Sequence, residues 1–192
     1  MKIRNLKRSG IAVFAIAAIV LVANLDARAQ KAEFIQATAM GTSTQLGRMI
    51  SVDIRISEYS TVDDRNALLQ AFQEKGSEGL SNALDKMNAK GRIAITGTLG
   101  FDVNFIRSID LPDGRRMIRF VTDRPITFGE AWSASRSMDY ALSMGEIIIG
   151  NTKGESTGKL FPAAKFTLDK EKELTIETFQ NPWNLTNVRM RK

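Results

Sequence analysis

Between residues 122 and 140 the chain gathers the side chains best suited to chemistry: Asp123, Arg124, Glu130, Trp132, Arg136, Asp139 and Tyr140, set among small residues. Asp123, Glu130 and Asp139 are the candidate catalytic carboxylates. A pair of carboxyls performs glycoside hydrolysis when the two stand about 5–5.5 Å or 6.5–9.5 Å apart, one as acid and the other as nucleophile or base. Arg124, Trp132, Arg136 and Tyr140 suit ligand binding instead. Aromatic faces stack on a sugar or peptide, and guanidinium groups make paired hydrogen bonds. A long segment that is not simply hydrophilic is a common place for function. The same residues also have a local reading, in which Asp123 and Arg124 cap a turn, Arg136 pairs with Asp139, and Trp132 enters the core. Ser133 and Ser135 have no Lys near them in sequence, so a Ser–Lys nucleophile would need a distant partner.

Two absences narrow the chemistry further. The 192 residues include no His and no Cys. That removes the Ser-His-Asp triad, the thiolate nucleophile, disulfides, iron–sulfur sites and thiolate zinc. No cofactor and no metal site are expected. Thr96-Gly97-Thr98-Leu99-Gly100 lacks the Gly-Lys-Ser/Thr ending of a phosphate-binding loop, and no GxGxxG string exists. Residues 169–173 alternate charges without calcium-ligand spacing. Asn184-Leu185-Thr186 matches a glycosylation sequon and is read as coincidence. Arg115, Arg116 and Arg119 form a basic hairpin. They suit either an anionic polymer or, the preferred reading, protection of an edge strand against added chains.

The N-terminus reads as an export signal. Lys2, Arg4, Lys7 and Arg8 precede an apolar run over residues 11–23, and Ala27-Arg28-Ala29 is a small-x-small cleavage pattern. The run is shorter than the roughly 20 residues of a membrane span. Residues 1–29 are expected to be cleaved, leaving no transmembrane anchor and residues 30–192 as one globular β-rich domain. The signal holds five basic side chains and one acidic, so it carries four of the six net positive charges. A near-neutral mature chain argues against nucleic acid as a partner.

These side chains need a scaffold, and the hydrophobic pattern describes one. Val52, Ile54 and Ile56 alternate with polar residues, the period of a half-buried strand. Thr61 is a helix N-cap, Leu68, Leu69 and Phe72 form its apolar face, and Gly76 stops it. Ser77 opens a second helix, with Leu80, Ala83, Leu84 and Met87 on one face and Gly91 at its end. Strands are expected at residues 32–40, 49–59, 93–99, 101–109, 116–122, 146–149, 160–168, 174–179 and 184–190, with a turn at Asp113-Gly114. The expected fold is α+β, an antiparallel β-barrel or strongly bent sheet of about eight strands with a helical pair inserted after the second. Irregular strands and sparse aromatics argue against an outer-membrane barrel.

Four strings resemble a family of small exported bacterial proteins of uncharacterised function: Thr96-Gly97-Thr98-Leu99-Gly100-Phe101, Val121-Thr122-Asp123-Arg124-Pro125-Ile126, Arg136-Ser137-Met138-Asp139-Tyr140 and Gln180-Asn181-Pro182-Trp183. The resemblance covers most of the mature chain. It implies bacterial export and a single domain, and no activity. The functional expectation is an exported, non-enzymatic envelope protein, periplasmic or extracellular, that binds a small ligand or a partner protein. The alternative is a carboxylate-dependent hydrolase of an envelope polymer.

Overall fold

A computed structural model of the chain describes residues 32–126, 140–152, 154–168 and 174–191. Along the sequence run β1 (Glu33–Met40), β2 (Met49–Ile56), α1 (Val62–Asp85), β3 (Gly91–Ile95), β4 (Phe101–Val103), β5 (Phe105–Asp110), β6 (Arg116–Thr122), β7 (Leu142–Ile149), β8 (Thr157–Leu168), β9 (Leu174–Thr178) and β10 (Trp183–Arg191). The strands form one antiparallel sheet in the order β4-β3-β2-β1-β10-β8-β7-β6-β5, with β9 paired to β8 off that path. The two ends of the order, β4 and β5, are consecutive in sequence and separated by Asn104 alone. The sheet therefore curls into a nearly closed barrel.

Ten strands replace the expected eight, and one helix replaces the expected pair. Against the nine stretches that the sequence pattern marks as strands, the additional one comes from Asn104. Val103 and Ile106 both point inward, so the alternation slips at Asn104 and one predicted strand becomes two. Buried Asn104 holds that seam. Its backbone N–H donates to the Val121 carbonyl, its amide nitrogen donates to the Met87 carbonyl at 3.3 Å, and its amide oxygen accepts from the Asp123 N–H at 3.2 Å. The helix begins with a capping box, in which Thr61 Oγ1 accepts from the Asp64 N–H and the Asp64 carboxylate accepts from the Thr61 N–H. The bond from the Thr61 backbone holds the Asp64 carboxyl below its usual range. Lys75 and Gly76 leave helical geometry inside α1, so its two helical halves meet at a kink at the glycine where the sequence places a stop. Gly76 has φ 59° and ψ −143°, a region open essentially to glycine.

The barrel interior is packed solid. Ile35 and Ala39 of β1, Ile54 of β2, Ile118 and Phe120 of β6, and Trp183 and Leu185 of β10 meet there with no appreciable exposure. On β10 the inward positions are Trp183 and Leu185, then Val188. A register shift opposite Gln36 and Thr38, with Asn187 at φ 50°, inserts one extra residue. Without that bulge Asn187 would enter the core in place of Val188. Outward positions on β1, β2 and β10 are mostly polar, among them Gln36, Thr38, Arg55 and Asn184, with Phe34, Met40 and Met49 as apolar exceptions. A membrane barrel carries the opposite alternation. No helix among the described residues is long and apolar enough to cross a membrane.

β6 lies between β5 and β7. This corrects the edge-protection reading of the basic hairpin, because each arginine has a partner. Arg115 pairs with Asp113 at 2.7 Å and Arg119 with Glu146 at 2.7 Å. Arg116 spans from β6 to Glu33 on β1, a strand it does not neighbour, with a forked pair of bonds at 3.1 and 2.9 Å. The Tyr59 hydroxyl donates to the same carboxylate at 2.8 Å. This cluster ties opposite walls of the barrel at one end. The Asp113-Gly114 hairpin forms as expected, in register from Phe105 against Val121 to Asp110 against Arg116.

Two outcomes follow from this packing. A Cβ at Gly145 would run into the Phe120 ring. Gly145→Ala is expected to lower stability in urea by about 1–3 kcal/mol, with partial recovery on adding Phe120→Leu; a neutral Gly145→Ala would contradict the close contact. Burial first, and the bond to Glu33 second, push the Tyr59 phenol far above its ordinary value. A raised folded-state value means the stabilisation is complete below about pH 10 and is lost as pH rises beyond it. Tyr59 is the sole tyrosine in a Tyr140→Phe protein. Its phenolate absorbance should then appear only with alkaline unfolding, and free titration in the folded protein near pH 10 would refute the assignment.

Candidate functional site

Helix α1 lies on the outer face of the barrel, over β5, β6, β7 and β8. A second apolar cluster forms there, with Leu68 and Leu84 from the helix and Leu142, Met144, Ala164 and Phe166 from the sheet. Along part of this contact the two surfaces stand apart and leave a cleft of about 500 Å³. That size falls within the usual range for small-molecule sites. The helix side presents Leu68, Leu69 and Phe72 before the break at Gly76, and Leu80 and Leu84 after it. Each set recurs at three- or four-residue spacing, so both halves of the helix turn an apolar stripe to the same space. The sheet side presents Phe105, Ile109, Val121 and Phe166. Polar groups enter as Gln73 and three arginines, Arg65, Arg107 and Arg119, and among the described residues no Asp or Glu lines the cleft.

Alternation along β5 and β6 explains this mixed wall. Ile106, Ile118 and Phe120 point into the barrel, so Phe105, Arg107, Ile109, Arg119 and Val121 must point out. Arg107 and Arg119 stand directly opposite each other in the register. Like charges in that position repel. Arg119 is relieved by Glu146 on the far side, whereas Arg107 has no ion-pair partner among the described residues. Two guanidinium groups and their hydration cannot be sealed beneath a helix, which keeps this part of the contact open. Leu69 remains 42% exposed as a result.

The loop singled out by the sequence is described only at its two ends. Glu130, Trp132, Arg136 and Asp139 lie outside the described residues. Asp123 and Arg124 pair with each other through two bonds, at 2.9 and 2.6 Å. The Asp123 side chain is 5% exposed and Arg124 59%. Both carboxylate oxygens are therefore engaged by the neighbouring guanidinium, the turn-forming arrangement of the local reading. Tyr140 packs against Phe179 with ring centroids 5.7 Å apart and planes at 45°. Neither Arg124 nor Tyr140 lines the cleft.

A buried hydroxyl pair anchors the start of this loop. Thr122 Oγ1 accepts from the Ser143 N–H and donates to the Arg124 carbonyl. Ser143 Oγ accepts from the Ile126 N–H at 2.6 Å and donates to the Pro162 carbonyl. Both side chains are fully buried. No group of three acidic residues suited to a metal ion occurs among the described residues.

Reasoning from sequence identified Leu68, Phe72, Leu80 and Leu84 as a buried helix face, but not that the face borders a cleft. The available signal was in β5 and β6. Phe105, Ile109 and Val121 are apolar on the side opposite an already apolar inner face, which only a covered outer surface requires. No protein-family model, no curated protein and no solved structure matches the chain.

The two ends of the loop differ in what they contribute. Ser143→Ala removes a fully buried hydroxyl that bonds the Ile126 N–H and the Pro162 carbonyl, which keep their bond to each other at 3.0 Å, and should cost about 1–2 kcal/mol in chemical denaturation. Arg124→Ala removes a guanidinium that is 59% exposed from a carboxylate that is 5% exposed; water can reach Asp123 through the space vacated, so the cost should stay at about 0.5–1 kcal/mol. The reverse ranking would show that the ion pair, not the hydroxyl network, fixes this turn.

Proposed function

We propose that the protein is an exported, non-enzymatic binding protein that holds a small apolar ligand in the cleft between α1 and the outer face of β5 and β6. The cleft itself carries the reading. The barrel interior, where a ligand would ordinarily sit in such a fold, is filled by side chains. The cleft lies outside the barrel, between α1 and the sheet, and opens to solvent at Leu69. Binding there removes exposed apolar surface from water at about 25 cal/mol per Å², with little rearrangement of either wall.

Export rests on the cationic and apolar pattern of residues 1–29 and on the resemblance to small exported proteins. The non-enzymatic part rests on a chain without His or Cys, and on a cleft that no carboxylate lines among the described residues. Asp123, the described member of the carboxylate set, is occupied by Arg124.

A neutral, environment-sensitive dye such as N-phenylnaphthylamine tests the reading. Its fluorescence should rise and saturate at one dye per chain. Leu69→Glu places a charge in the cleft at a position that is already part-exposed, and should weaken binding by about tenfold or more. Tyr140→Ala should leave binding unchanged. Absence of saturable binding, or equal binding by the Leu69→Glu protein, would overturn the assignment.

A further inference from the structure

We infer that the cleft selects an anionic single-chain amphiphile, a long-chain carboxylate, with its headgroup on Arg65, Arg107 and Arg119. This deepens the proposed function and rests on it. The argument begins with charge. Three guanidinium groups and Gln73 line an otherwise apolar space, and among the described residues the carboxylate that pairs with one of the three is Glu146, which bonds Arg119 from the next strand. Arg65 and Arg107 have no ion-pair partner among the described residues, although they come from different elements, the first turn of α1 and the middle of β5.

The register makes this arrangement costly without an anion. Arg107 and Arg119 are a direct cross-strand pair, so their repulsion is built into the β5–β6 hairpin. Placing one more guanidinium across the cleft, on Arg65, adds to it. A single negative group among the three would relieve all of these repulsions together. Planar two-oxygen headgroups match the guanidinium fork, so a carboxylate fits better than a compact or neutral polar group.

Apolar surface adjoins the charged groups on both walls. Arg107 and Arg119 form one rung of the hairpin, with Phe105 and Val121 on the next rung of the same face and Ile109 on the other side. On the helix, Arg65 stands about one turn from Leu68 and Leu69. A ligand with one anionic end and a hydrocarbon tail satisfies both regions. A wholly apolar ligand leaves the arginines unpaired, and a small anion leaves the apolar walls wet.

Competition against the neutral dye separates this inference from the reading it rests on. The purified protein is titrated with myristate, myristyl alcohol and myristyl trimethylammonium below their micelle concentrations. Myristate is expected to displace the dye about tenfold or more tightly than the alcohol, and the cation more weakly than either. The carboxylate preference should fall with added salt in the unmodified protein, which needs no variant. In an Arg65→Gln/Arg107→Gln protein, checked by circular dichroism, the preference should disappear while alcohol binding is retained. Equal displacement by all three amphiphiles would overturn the inference and leave the apolar cleft intact as a binding site. Failure of the dye and all three amphiphiles to bind would overturn both. A dimer in sedimentation that excludes the dye would make a second copy of the chain the occupant, and would also overturn the inference.

Discussion

Phe120 lies across Gly145 in the middle of the barrel, and Ile118, Ile147, Leu160 and Trp183 close around it. The ring takes the volume that a side chain at residue 145 would need. The same condition extends to the whole interior, because inward residues from all nine strands of the sheet path fill it at the density of a crystal. From that filling the rest of the structure follows. Small barrels with packed interiors leave room for ligands only at their ends or on their outer faces. Here the outer face of β5 to β8 is apolar and would be exposed in water, so a helix must cover it. The covering is incomplete where arginines intervene, and the cleft is the space left over.

Polar groups at the seams are satisfied with equal care. Asn104 bridges the two ends of the sheet and reaches both the end of the helix and the Asp123 turn. Thr122 and Ser143 take up the backbone groups freed where the chain leaves β6. Glu33, Arg116 and Tyr59 close the opposite side. Buried groups of this kind cost far more when one partner is lost than they contribute as a set, so they define the geometry more than they raise the stability.

Sequence patterns revealed the elements whose signals are local. β6 and its hairpin are legible because Asp113-Gly114 dictates the turn, and the start of α1 because Thr61 and Asp64 form a capping box. The first half of β7 was missed, since Leu142, Ser143, Met144 and Gly145 show no clean alternation; Leu142 and Met144 face the helix, while Gly145 makes room for Phe120. The break at Asn104 and the bulge at Asn187 were hidden for a related reason. Each shifts the phase of a strand by one residue, and only the fold shows which phase is inward. Gly76 is legible as a helix stop from its residue type alone, and Lys75 and Gly76 do leave helical geometry there, as a kink within α1. The cleft was least legible of all. Its residues run from Arg65 to Phe166 with no linear motif, and Arg119 became informative only when the register placed it opposite Arg107.

The place of β1 in the sheet has a consequence for when the protein can fold. β1 is paired on one side with β2 and on the other with β10. Its inner residues Ile35 and Ala39 are covered together with Trp183 and Leu185, some 150 positions away. Closing a loop of that length comes late, because its entropy must be met before the contacts form. A ribosome that has released only β1 to β9 has produced a sheet with a gap in its wall and an unfilled centre. The last nine residues of the sheet act as a latch. Until they arrive the barrel wall cannot close, and once they dock β1 is paired on both sides.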